Sequence, residues 1–399
     1  MTGHSRHSKL YAALTTLMLI GAACSAPSDT AEGEATIRIG VVVSSTGSAG
    51  SLGEPERNTI QLFEEQFAEI GGTEVEWIIE DDASDPTQAV TAVKQMIDRE
   101  NVHAVVCCTV SPNSLAILET VQEDEVPNIS LAASAQIVEP AAEREWIFKT
   151  PQNDALMVEV LTEHMLEQGV ETVAFLGFDD AYGESGQAAF EEVIGDKDIE
   201  LTGSESYARE DTDVTAQLTQ LSRDNPDAYL IWAIPPGADV AHKDLVNLGF
   251  EGEIYQSHGV ANSTFLELGD DAVEGTYLPA GKLLTADDLS DDDPQKEVLL
   301  EYRDTYEEEY GDGSANTFGG HAFDAMLVLE GAIERALDGD ADPSDVEAFR
   351  STLRDEIETT SDLPGTGGVF NYSPEDHAGL DTEAAVMLEV ANGDWSLIE

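Results

Sequence analysis

The sequence predicts an α/β protein built as two lobes, each a doubly wound parallel sheet with helices on both faces. Short β-branched runs alternate with helical periodicity from Thr36 onward, and the alternation restarts after Pro151. Hydrophobic residues make up 41% of the 399 positions and are spread along the whole length, so the chain can bury a core. At roughly 100–200 residues per domain, that length suits about two domains.

The first lobe opens with Ile37–Val43 (IRIGVVV) as a strand. A helix over residues 53–70 follows, with Ile60, Phe63, Phe67 and Ile70 on one face. Residues 75–79 (VEWII) are the next strand. Pro86 suits the first position of a helix whose buried stripe is Val90, Val93, Met96 and Ile97. Val105 and Val106, a helix near residues 114–122 and a strand at 128–131 continue the order, and residues 146–150 (WIFKT) close it. After Pro151-Gln-Asn153 come a helix at 155–167, a strand at 172–177, a helix at 185–194, a strand at 201–207, a helix at 214–224 and a strand at 228–234. Residues 283–294 (LLTADDLSDDDP) read as an acidic loop ahead of helices at 295–310 and 321–337. There is no internal repeat of solenoid period.

Charge excludes whole classes of partner. With 81 Asp and Glu against 18 Lys and Arg, the net charge is −63. Nucleic acid and anionic membrane surfaces are bound through clustered Lys and Arg, yet no two such residues adjoin here. So acidic a surface suits high salt, where screening suppresses self-repulsion.

The N-terminus reads as an export signal. Arg6 and Lys9 precede an apolar stretch over residues 10–20 that is too short to span a membrane, and Gly21-Ala-Ala-Cys24 follows. Small residues before a cysteine resemble the bacterial lipobox, although Gly21 stands where a Leu-like residue is usual. Residues 1–23 are therefore expected to be removed, Cys24 to be lipidated, and the small, polar and acidic residues 24–35 to act as a tether outside the cytoplasmic membrane. Cys107 and Cys108 are expected to be buried free thiols, because neighbouring Cα atoms about 3.8 Å apart fall short of the usual disulfide separation.

Enzyme motifs are tested and fail. Gly47-x-x-Gly50-x-x-Gly53 lacks the dinucleotide spacing, and Gly275 to Lys282 has one residue too many for a phosphate-binding loop. Gly183-Glu-Ser185-Gly186 lacks the spacing of a nucleophile elbow. Asp338-x-Asp340-x-Asp342 begins like a calcium loop, but Pro343 and Phe349 occupy its glycine and glutamate positions. Helix capping by Asp342, with Pro343 at the first helical position, explains it instead. A secreted hydrolase, the rival from another class, would need a nucleophile with a His and an acid in reach, and no such motif is present. No cofactor, metal or catalytic residue is expected.

Several stretches carry a family likeness. Glu80-Asp-Asp-Ala-Ser-Asp-Pro-Thr-Gln-Ala-Val90, Asp180-Ala-Tyr-Gly183, Asp211-Thr-Asp-Val-Thr-Ala-Gln-Leu218 with Pro226-Asp-Ala228, and Ser257-His-Gly-Val-Ala-Asn262 with Glu274-Gly275 resemble the branched-chain amino acid substrate-binding family. Phe318 to Ala325 and Phe370 to Leu380 are similar to one branch of it. The likeness runs from about Ile37 to Trp395. It implies the type I periplasmic binding fold, two lobes joined by three crossovers, and a capture role for an ABC importer. The crossovers would fall near residues 150–153, 280–284 and 367–372. The lobes would then comprise residues 36–150 with 284–367 and residues 151–283 with 368–399.

In open α/β sheets ligands bind beyond the carboxyl ends of strands, where helix N-termini offer free N–H groups. Ser111 and Ser134 each follow a strand at such a place. The resemblance implies that Ala132, Ala133 and Ser134 hold an amino acid's carboxylate and ammonium, and that Leu52, Tyr182 and Phe318 contact its apolar part. Ile234 and Trp232 flank a further wall position. Where an amino-acid binder places a carboxylate for the ammonium, this chain has His258, which lacks a fixed charge. The expected ligand is a branched-chain or other hydrophobic amino acid, or an aromatic or short-chain carboxylic acid in its place. The expected partners are the membrane permease subunits of an importer, with the protein itself a monomer.

Overall fold

The computed structural model describes residues 35–398. The export signal, Cys24 and all of the tether but Ala35 lie outside the described residues.

The first sheet contains β1 (Ile37–Val43), β2 (Glu69–Ile70), β3 (Thr73–Asp81), β4 (Ala104–Cys107), β5 (Asn128–Ser130) and β6 (Ile147–Lys149), in the order β2-β3-β1-β4-β5-β6. All pairs are parallel except β2 with β3. Between the strands run α1 (Gly50–Phe63), α2 (Pro86–Gln95) and α3 (Ser111–Glu123). Side-chain alternation along β1 sends Val41 and Val43 to one face and Val42 to the other, each into a separate core. The Val42 core is completed by Ala89 and Val93 of α2 and Ile117 and Val121 of α3.

The second sheet follows α4 (Asp154–Glu167) and contains β7 (Thr172–Phe178), β8 (Glu200–Tyr207), β9 (Ala228–Trp232), β10 (Glu253–Gln256) and β11 (Tyr277–Ala280). Between them lie α5 (Ala181–Ile194), α6 (Thr215–Leu221), α7 (Gly237–Asn247) and α8 (Ser263–Gly269). The chain then returns to the first lobe as α9 (Lys296–Tyr310), α10 (Thr317–Asp338), α11 (Val346–Glu358) and the short hairpin β12 (Leu363–Pro364) and β13 (Val369–Phe370). Leu299, Tyr302, Phe323, Met326, Phe349 and Leu353 from these helices cover the Val41 face of the first sheet. Finally β14 (Val386–Ala391) and β15 (Asp394–Leu397) complete the second sheet, in the order β15-β14-β11-β10-β9-β7-β8.

Hydrogen bonds tie the connecting segments together. Thr150 Oγ1 donates to the His321 carbonyl at 2.9 Å, and Gln152 Nε2 donates to the Gly367 carbonyl at 2.6 Å. Asp324 of α10 accepts from the backbone N–H of Thr366 and Gly367, at 2.5 and 2.7 Å.

Four expectations need correction. The helix expected over residues 53–70 ends at Phe63, and Ile70 lies in β2 instead of on its face. The third crossing lies later than residues 367–372: Phe370 and Tyr372 belong to the first lobe's Val41-face core and Ala378 to its Val42-face core, whereas Val386 and Met387 belong to the second lobe. The aromatic pair is held there because His377 stacks on Phe148 and the Tyr372 hydroxyl donates to the Lys149 carbonyl at 2.8 Å. The last helix is capped by Asp345, whose carboxylate accepts from Ala348 N, while Asp342 accepts from Ser344 N in the preceding turn. Cys107 and Cys108 are joined by a disulfide rather than free.

Candidate ligand-binding cleft

Four helix N-termini converge between the lobes at the carboxyl ends of the strands. From the first lobe, Leu52 lies in the first turn of α1, Ser111 opens α3, and Phe318 lies in the first turn of α10. From the second, Tyr182 lies in the first turn of α5. Two of these entries are fixed by side-chain caps: Asp180 accepts from Tyr182 N and Gly183 N, and Asn316 accepts from Phe318 N and Gly319 N. Site residues are thereby set by the same bonds that start the helices.

Between these ends lies a cavity of about 30 Å³. Of the residues expected at the site, Leu52, Ser111, Ala133, Tyr182, His258 and Phe318 line it, together with Ile234. Leu52, Val110, Ala133 and Phe318 of the first lobe share one continuous core with Tyr182, Trp232 and Val260 of the second, so the cleft is closed. Ala132 and Ser134 are not part of the lining. Ser134 is fully buried and its hydroxyl accepts from Gln136 N to cap a short turn, which directs it away from the cavity. It still serves the site indirectly, since its N–H donates to Ser111 Oγ at 3.3 Å. Ser111 itself lines the cavity. Trp232 lies beneath the wall, its indole against Gly186, where even a Cβ would collide with it.

His258 sits on a short turn after β10, 7% exposed, with neither ring nitrogen hydrogen-bonded. Burial drives its pKa down to about 3, and the nearby Lys149 and His321 push the same way, so it is neutral. Its Nε2 lies 3.9 Å from Asp154 Oδ1. Asp154, the first residue of α4, is fully buried with no hydrogen bond to either oxygen, and that burial raises its pKa against the pull of Lys149. Lys149 is buried too and donates to the carbonyls of Ala133 and Gln152 and to Asn153 Oδ1. It therefore ties the Ala133 segment to the first crossing.

Several lining residues were not singled out in the sequence as ligand contacts. Thr109 lines the cavity, but its hydroxyl is committed, accepting from Ser44 N and donating to Glu56. His321 of α10 lines it as well, with Nδ1 unpaired and a pKa pushed by burial down to about 3. Arg209 brings in a charge. It follows the carboxyl end of β8 by two residues, the placement that the strand-end rule associates with ligands. His377 is instead held within the first lobe by the Ile147 carbonyl and Glu358. Among the described residues no cluster of His, Cys, Asp or Glu could hold a metal ion.

A family model described as periplasmic binding protein matches residues 36–394. An extracellular ligand-binding receptor from Rhodopseudomonas palustris HaA2 is 34% identical, with a TM-score of 0.86 over 91% of this chain and 99% of that one. A curated relative from Pseudomonas aeruginosa, 25% identical over 79% of this chain and 82% of its own length, is named leucine-, isoleucine-, valine-, threonine-, and alanine-binding protein. A branched-chain amino acid transporter substrate-binding protein from Streptococcus pneumoniae, solved in complex with isoleucine, shares the fold at a TM-score of 0.77 and 19% identity, over 90% of this chain and 98% of that one.

Proposed function

The chain belongs to the periplasmic binding protein family, and from that premise we propose that it is the solute-binding lipoprotein of an ABC importer, closing on a small carboxylic acid that has an apolar body and no amine. Export and anchoring through Cys24 rest on the N-terminal sequence pattern. Delivery to permease subunits is the role the family likeness supports.

The choice of ligand rests on the charge of the cavity. No Asp or Glu is among the described residues that line it, and Arg209 is the only Lys or Arg among them. An ammonium group shut in there would meet a neutral His258 and a guanidinium, and burying a charge without a counter-charge is heavily penalised. A carboxylate would meet the Ser111 hydroxyl, the Ser111 N–H that opens α3, and Arg209, since Pro112 has no N–H and those of Asn113 and Ser114 donate to the Val110 carbonyl. The apolar body would lie against Leu52, Leu131, Ile234 and Phe318. A hydrophobic amino acid is the second reading, favoured by the ligands named for the Pseudomonas and Streptococcus proteins.

Titration calorimetry with isocaproate, benzoate and hydrocinnamate, each beside leucine, separates the two. At least one acid should bind, with leucine weaker by about tenfold or more, the equivalent of about 1.4 kcal/mol. Tighter binding of leucine would transfer the function to amino acids, and no binding of any acid would end the acid reading. A second outcome concerns the serines. Ser111→Ala should weaken the bound acid by about ten- to a hundredfold, the loss of one hydrogen bond to a charged group. Ser134→Ala should cost much less, and equal losses would return the carboxylate to Ser134.

A further inference from the structure

Arg209 is held in place by groups that leave part of it unused. Its Nε donates to Asp180 Oδ2, while Oδ1 of the same carboxylate takes the first N–H groups of α5. Its Cζ lies 4.6 Å above the Phe178 ring centroid, a position that suits cation–π attraction. Those two contacts fix the plane of the guanidinium, and the side chain is 13% exposed. Nη1 is nonetheless buried with no hydrogen-bond partner. A buried donor on a charged group left unpaired is costly, and such groups in native proteins commonly have an explanation in function.

Position supplies that explanation. Arg209 lines the closed cavity, and it also lines a groove at the mouth of the cleft, between Pro112 and Asn113 on the first lobe and Asp179 and Asp180 on the second. Across the cavity stands the start of α3 with Ser111. A group lodged between them would touch both lobes at once. On a chain with a net charge of −63, an anion entering the cleft also needs a local positive potential.

We propose that Arg209 receives the ligand's carboxylate across the cleft from Ser111, and so decides for carboxylic acids against their neutral amides. The proposal rests on the acid-binding function above. A carboxylate can accept from Nη1 and from the Ser111 hydroxyl together, which bonds one ligand group to both lobes and stabilises closure. A primary amide offers one acceptor oxygen, and its NH2 group would point a donor at another donor.

The test uses the full-length exported protein and calorimetry with isocaproate, benzoate and hydrocinnamate, each paired with its amide. Wild type should prefer the acid of the best-bound pair by about tenfold or more. Arg209→Met should lose about ten- to a hundredfold on that acid and stay within about threefold on the amide, erasing the preference. Arg209→Lys should recover part of it. Equal losses on acid and amide, or an unchanged preference, would overturn the proposal by making Arg209 a wall residue only. Should Arg209→Met fail to fold, the wild-type comparison still decides, since equal affinity for acid and amide also refutes a charge-reading arginine. Wild type that binds no acid at all sinks the acid-binding function itself, a different result from binding that ignores Arg209.

Discussion

Thermal unfolding in potassium chloride should shift strongly upward between about 0.1 M and 1 M salt, where the Debye length shrinks from about 10 Å to about 3 Å. The cause is the imbalance of 81 acidic against 18 basic residues. The few cations do little to relieve it, and several already serve carboxylates: Arg303 pairs with Asp287 and Asp304, Arg354 with Glu145, Asp355 and Glu358, and Lys296 with Asp291. Two unpaired carboxylates about 10 Å apart on a wet surface repel by roughly 0.4 kcal/mol before screening, and the rise in salt removes about 0.1 kcal/mol of what remains. Summed over an excess of 63 negative charges, relief of that size per charge gives about 6 kcal/mol, less whatever the unfolded chain gains by the same screening. Calorimetric melting in potassium chloride, with sucrose as a neutral control, measures it. A melting temperature flat across that range would mean that the acidic surface is not self-repelling in the folded state.

Much of the sheet architecture could be read from local patterns because burial follows them. Alternation in Ile37–Val43 feeds two cores, and Ile60 and Phe63 face one core from a single helical stripe. Short strands such as Glu253–Gln256 carry too few residues for a period to register, and Pro235-Pro236-Gly237 reads as a turn although α7 starts there. The two aspartates three residues apart before α11 are chemically equivalent caps, so the sequence alone could not choose Asp345 over Asp342. Nothing in the spacing of Cys107 and Cys108 reveals a disulfide between them. At the cleft, the family likeness reached Leu52, Ser111, Tyr182, His258 and Phe318 because each lies in a recognisable stretch. Arg209 stands alone ahead of an acidic run, and its free Nη1 is defined only by Asp180 and Phe178, which come from another strand and helix start. The approach of Asp154 to His258 joins two lobe-2 segments distant in sequence, which no local period can encode.

His258→Glu combined with Asp154→Asn should turn the cleft from acids toward leucine, and the pairing of the two changes is what makes the exchange work. His258→Glu alone would put a second carboxyl about 4 Å from Asp154. Burial already raises Asp154, against the pull of Lys149. Two carboxyls that close share one proton, so the new side chain would be largely neutral near its working pH and a poor partner for an ammonium. Asp154→Asn removes that competition. It also leaves the buried Lys149 short of its largest favourable charge, which an ionised glutamate at position 258 would replace, keeping the net charge of the cluster constant. The ammonium of leucine would then gain a charge-assisted bond while isocaproate would meet a fixed negative charge. At about tenfold for each effect, the affinity ratio of leucine to isocaproate should rise by about a hundredfold in the double variant, and by less, with a stronger dependence on pH, in His258→Glu alone. Calorimetry on both variants with both ligands measures the ratio. If the double variant folds and the ratio does not move, His258 does not face the position of an amine, and the exclusion of amino acids must come from Arg209 alone.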